Sequence, residues 1–177
     1  MSTGCGQPCN ATAPTAGAEV LRRRRIKRTH TGSFRLGIGD DERELLRQLL
    51  PQLRELITAA PGPHDDRVRR LFPTAYAQDP EHDAEYHRLM RDEMIASRVA
   101  AIDMVEASLD ATELTEAELL GWIRSVNAVR LVLGTMLDVS EDAEPEPIAA
   151  DDPDLPDLAL YSYLSGLLDE MVTVLDD

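Results

Sequence analysis

From Asp40 onward the leucines and isoleucines recur three and four residues apart, at Leu45, Leu46, Leu49, Leu50, Leu53, Leu56 and Ile57. That spacing turns one face of a helix toward a core and predicts a first helix ending over Ala59 to Pro63. Pro51 lies inside the pattern, where it lacks a backbone donor and crowds the preceding turn, so a kink is expected there. Val68, Leu71 and Phe72 before Pro73 predict one short helical turn, followed by a loop over Thr74 to Pro80. From about Glu81 to Leu109, Tyr86, Leu89, Met90, Met94, Ile95, Val99, Ile102, Val105 and Leu109 keep a helical period, which makes this the longest predicted helix.

Thr115 followed by Glu118 has the form of a capping box, in which each side chain satisfies the other residue's free backbone donor at a helix start. The helix it opens runs to about Leu137, and its apolar positions, from Leu119 through Trp122, Val126, Val129 and Leu133 to Leu137, cover most of its circumference. A helix apolar on nearly all sides belongs at the centre of a bundle. Gly121 and Gly134 each cost this helix about 1 kcal/mol relative to Ala, which predicts close approach of another helix at both positions. Leu158 to Leu175 supplies a last apolar helix.

The segments between and before these helices read differently. Residues 1–18 mix Gly, Ser, Thr, Pro and Ala without periodicity, the composition of a disordered tail. Glu19 to Arg28 and Ser33 to Ile38, separated by Thr29-His30-Thr31-Gly32, predict a small β-hairpin. The arginine run in its first strand breaks the alternation, so a solvated basic arm is the competing reading. Residues 141–156 are acidic and rich in proline, as in a solvated linker loop. The fold class that follows is mostly α: a helical bundle of four main helices with a short N-terminal β-hairpin and a disordered tail, in one domain over 19–177.

Charge changes this picture. The first 40 residues hold seven Arg/Lys against Glu19 and Asp40, whereas the remainder holds 11 basic and 31 acidic residues. The acidic body repels phosphate backbones and anionic lipid, so only the basic arm offers a polyanion a foothold. Arg22, Arg23, Arg24, Arg25, Lys27 and Arg28 are the candidate partner-binding or nucleic-acid-binding residues. The same run also suits an edge strand protected by charge, or a clamp onto the chain's own acidic surface, and contact with protein or with the chain itself is favoured over DNA. By this reading no apolar stretch approaches the roughly 20 residues that span a bilayer, and the N-terminus lacks the charged-then-apolar order of a secretory signal, which together predict a cytoplasmic protein.

Few constellations carry chemistry. Cys5 and Cys9 are the only cysteines; in a reducing compartment a bridge between them would be transient or sensory, and the alternative is that they are inert. A thiolate there would be favoured if the tail brought it near Arg22 to Arg25. His82 and His87 are five residues apart, off the spacing that aims two imidazoles at one metal, and no metal or cofactor is expected. No phosphate-binding glycine loop, nucleophile elbow or His-Glu-x-x-His motif occurs, so a non-catalytic role is expected. Trp122, Asn127 and Arg130 form the polar part of the central helix and call for structural partners if desolvated.

The segment from Trp122 to Leu137, with Glu93-Met94-Ile95 and Arg98-Val99-Ala100-Ala101 before it and Tyr161 to Leu175 after it, resembles an actinobacterial family known as a domain of unknown function. The likeness covers roughly residues 20–177. That family includes regulators of the oxidative-stress response in which an N-terminal Cys-x3-Cys pair is thought to close into a disulfide and promote association with a stress sigma factor on DNA. The resemblance implies redox sensing by Cys5 and Cys9, and a protein partner such as a sigma factor or RNA polymerase. A helical adaptor with an inert tail is the alternative.

Overall fold

The computed structural model describes residues 24–59, 66–139 and 153–176. The predicted tail with Cys5 and Cys9, the residues Arg22 and Arg23, and most of the predicted linker lie outside the described residues.

The hairpin forms from β1 (Ile26–Arg28) and β2 (Phe34–Leu36), antiparallel, with Ile26 opposite Leu36, Lys27 opposite Arg35 and Arg28 opposite Phe34. Its turn is closed by the Thr29 N–H donating to the Ser33 carbonyl at 2.8 Å, with Gly32 at φ 83°, a conformation that favours glycine. Phe34 and Leu36 point into the core with Arg35 exposed between them, so β2 alternates, whereas β1 buries Ile26 and leaves both Lys27 and Arg28 exposed, as the arginine run led one to expect.

Helix α1 (Asp40–Ala59) buries Leu46, Leu50, Leu53 and Ile57 and continues through Pro51, which sits on its exposed side. A single 3-10 turn (Asp66–Val68) places Val68, Leu71 and Phe72 in the core. Helix α2 (Pro80–Ser108) starts with Asp79 accepting the His82 N–H at 3.1 Å and with Pro80 in its first turn, where the missing donor costs nothing.

Glu113–Leu114 forms a strand, β3, that pairs antiparallel with β2 and makes the sheet three-stranded in the order β1-β2-β3. The sequence pattern did not indicate it, because two residues are too short to display a period. Helix α3 (Glu116–Met136) opens on the predicted capping box: the Thr115 N–H donates to Glu118 Oε2 at 2.7 Å and the Glu118 N–H to Thr115 Oγ1 at 3.3 Å.

Helix α4 runs over Leu155–Asp176, so Leu155 and Pro156 are helical and do not belong to the linker. Pro156 fits there because a first-turn N–H has no intrahelical acceptor. By length and composition α4 is also apolar enough to cross a membrane, contrary to the expectation that no segment is. Here its Leu164, Leu167, Met171 and Val174 are buried along one face, which packs on α3 and β1.

Helix α3 is the shared partner of α1, α2, α4 and the 3-10 turn. Trp122 and Val126 are fully buried in it, each contributing about 1.5–3 kcal/mol by removal from water. A Cβ on Gly121 would lie 2.7 Å from Met104 Sδ of α2, and one on Gly134 would lie 2.9 Å from Tyr161 Cε2 of α4. The two glycines admit α2 near one end of α3 and α4 near the other, as their helical cost predicts.

Candidate partner interface

The basic run divides by what each side chain meets. Arg25 turns toward the body: its backbone N–H donates to Glu170 Oε2 at 2.7 Å, its Nη1 lies 3.4 Å from Glu170 Oε1, and its Nε lies 3.3 Å from Glu42 Oε1. The same guanidinium stands 5.1 Å from the Tyr163 ring centre. One arginine thus joins the hairpin to the first turn of α1 and the last turns of α4. Glu42 also accepts the Gly39 N–H at 2.6 Å, so it caps α1 while holding Arg25. Burial pushes the Tyr163 hydroxyl above its ordinary value, the Glu42 and Glu170 carboxylates add to that shift, and Arg25 opposes it.

Beside this clamp lies a basic surface. Arg24, Arg25, Lys27, Arg35 and Gly37 border a cleft of about 350 Å³. Lys27 and Arg35 are direct cross-strand partners and both are exposed, an arrangement of like charges that weakens a sheet unless an anion compensates it. Glu113 of β3 does so in part, 3.6 Å from Arg35. Arg28 lies 5.5 Å from the Phe34 ring centre and covers it. Of the predicted basic residues, Arg24 and Lys27 therefore share the cleft, Arg25 is chiefly a clamp, and Arg28 shields the core. Arg35, Glu42, Tyr163 and Glu170 were not singled out from the sequence. Arg35 alone had a local signal, since it alternates with Phe34 and Leu36.

The polar residues of α3 find partners within the fold. Trp122 Nε1 donates to Ser108 Oγ at 2.8 Å, and that hydroxyl donates to the Met104 carbonyl at 2.7 Å. Arg130 Nε lies 3.4 Å from Asn127 Oδ1, and its Nη1 donates to Tyr161 Oη at 2.8 Å. Asn127 and Arg130 are half-buried rather than buried, because α3 turns this side toward α4 near the surface. His82 pairs with Asp79 at 2.6 Å and the buried His87 lies 3.8 Å from Asp83, so each imidazole faces its own carboxylate. Among the described residues no group of three or more His, Cys, Asp or Glu is arranged to hold a metal.

Residues 23–175, which include the hairpin, its clamp and all four helices, match the family described as a domain of unknown function (DUF2017). The chain belongs to that family. Similar proteins extend over nearly its whole length. The oxidative stress regulator AosR of Mycobacterium tuberculosis (strain ATCC 25618 / H37Rv) is 29% identical over 99% of this chain and 98% of its own length. The protein of the same name from Mycobacterium bovis (strain ATCC BAA-935 / AF2122/97) is similar to the same extent. No solved structure matches the chain.

Proposed function

We propose that this member of the DUF2017 family is a non-catalytic, cytoplasmic regulator of the oxidative-stress response, which binds transcription machinery, a stress sigma factor in particular, under control of a thiol-disulfide switch at Cys5 and Cys9. The observation that carries the reading is the similarity, over 99% of this chain, to proteins named oxidative stress regulator. The Arg25 clamp supports it by giving the leader a fixed point of entry into the fold, where α1, α4 and the basic cleft meet.

In this reading peroxide takes two electrons and two protons from the paired thiols, giving one disulfide and two molecules of water. Closing the bridge changes the conformations open to the leader ahead of the basic cleft. A tenfold change in partner affinity needs only about 1.4 kcal/mol of difference between the two states, which a few contacts at the cleft supply.

The exposed Lys27 and Arg35 pair also favours a second reading, an adaptor that binds an acidic protein surface constitutively. Partner capture from cells with and without diamide, for the wild type and Cys9→Ser, separates the two. Sigma-factor capture that rises on oxidation in the wild type alone supports the switch, and equal capture in all four samples supports the adaptor.

A further inference from the structure

Helix α3 is apolar on nearly all sides, yet one side of its last two turns is open. Val132 and Leu133 are only half-buried there, and Met136 is 63% exposed. They line a groove of about 340 Å³ that α1 borders with Leu49 and Leu56 and α4 with Asp157 and Leu160. Helices α1 and α4 each pack on α3 but scarcely on one another, which leaves this space between them. Its apolar stripes are matched in length. Val129, Val132, Leu133 and Met136 stand at i, i+3, i+4 and i+7 on α3, and Leu49, Leu53 and Leu56 at i, i+4 and i+7 on α1. A further helix with apolar residues at the same spacing fits such a groove and completes the bundle.

The charges around the groove select the partner. Arg47 and Arg54 of α1 turn to its other side, where Arg47 pairs with Asp110 at 2.9 Å and Arg54 with Asp103 at 2.7 Å and Glu106 at 2.6 Å. On the groove side α1 exposes Gln52 and, beside Leu56, Glu55. Helix α4 contains no basic residue, and its Asp157 is exposed on the rim. Arg67, the basic residue of the lining, is already engaged within the chain. The rim therefore attracts a basic ligand and repels an acidic one. That argues against a second copy of this chain. Its α4 brings Leu168, Val172 and Leu175 toward the surface at helical spacing, but without a basic residue it would set carboxylate against carboxylate.

We infer that this groove docks an amphipathic helix of a partner protein, its apolar stripe on α3 and its flanking Lys or Arg residues facing Glu55 and Asp157. The groove shares no residue with the basic cleft, and it calls for a ligand of opposite charge. The inference is therefore independent of any switch at the cysteines.

The test is fluorescence anisotropy of a labelled synthetic Leu/Lys helix, with leucines at i, i+3, i+4 and i+7, titrated with the full chain beside a peptide of the same residues in scrambled order. The ordered peptide should bind about tenfold more tightly than the scrambled one. Met136→Glu should weaken it about tenfold or more, as loss of one buried apolar contact entails, and Met136→Leu should not. Asp157→Lys should weaken it about twofold to fivefold. Met136 and Asp157 are both exposed, so these replacements leave the fold intact. Equal binding of the two peptides, or an unchanged affinity in Met136→Glu, overturns the inference. So does sedimentation that shows a dimer lost in Met136→Glu, which assigns the groove to a second copy. Binding that appears only when residues 140–152, which join α3 to α4, are replaced by a Gly/Ser linker overturns it as well, because the chain then fills its own groove.

Discussion

Glu170 on α4 accepts both the backbone N–H of Arg25, at 2.7 Å, and its guanidinium Nη1, at 3.4 Å. The last helix of the chain thereby fixes the place where the arginine run enters the fold. Glu170→Ala is expected to cost about 1 kcal/mol, since both partners are partly solvated and screening limits the ion pair. Faster amide exchange over Ile26–Arg28, with little change in α3, is the signature to measure. Unchanged exchange in β1 would show that the clamp does not hold the hairpin.

Trp122 and Ser108 are both buried, and among the described residues the indole N–H donates to the Ser108 hydroxyl. Ser108→Ala leaves that donor unsatisfied and should destabilise the protein by about 1–3 kcal/mol. Trp122→Phe leaves the hydroxyl its bond to the Met104 carbonyl, but it creates a void costing about 1–3 kcal/mol. Urea unfolding of Ser108→Ala, followed by fluorescence, tests the first value; a midpoint equal to wild type would contradict it.

The glycines of α3 and α4 should respond with opposite signs. At Gly134 an added methyl would meet Tyr161 Cε2 at 2.9 Å and Arg70 Nη1 at 3.2 Å, so Gly134→Ala must displace a ring that is hydrogen-bonded to Arg130. A net loss of about 1–2 kcal/mol is expected, after the gain in helix propensity. Nothing lies within 4 Å of a Cβ on Gly166, so Gly166→Ala should add about 0.5–1 kcal/mol. Differential scanning calorimetry of the two variants reads the sign directly.

Tyr163 predicts a loss of stability at alkaline pH. Its ordinary pKa is 10.0 and its folded value is raised, first by burial and then by Glu42 and Glu170. The folded state therefore holds the proton more tightly than the unfolded state does. This contribution is complete below the unfolded-state value and is lost as pH rises through that value toward the folded one. Stability against urea should fall above about pH 10, and Tyr163→Phe should flatten the decline. An identical pH profile in the variant would remove Tyr163 from the alkaline transition.

Much of the scaffold was legible because its signals are local. The capping box at Thr115 and Glu118 is written within four residues, and the period of α1 and α2 repeats often enough to stand out. Gly121 and Gly134 announced close approach through the helical cost they impose, though not which neighbour approaches. Short or shared features were illegible for the same physical reason. Glu113–Leu114 becomes a strand only because β2 offers an edge, and the first turn of α4 reads as linker because proline is compatible with both.

The candidate site was legible in composition but not in geometry. The cluster of positive charge was plain, whereas the division of labour among Arg24, Arg25, Lys27 and Arg28 depends on which faces of β1 meet α1 and α4. Arg25 becomes a clamp through Glu42 and Glu170, which lie 17 and 145 residues away along the chain.

By itself the sequence determined the four main helices, the capping box of α3, the central place of α3 and the separation of a basic N-terminal region from an acidic body, because periodicity and charge are carried by neighbours in the chain. Only the tertiary structure decided that one arginine faces inward while Lys27 and Arg35 face each other, and that α1 and α4 leave a groove open along α3. Those relationships join atoms from distant segments, and the direction of a side chain is set by what packs against it rather than by the residues beside it.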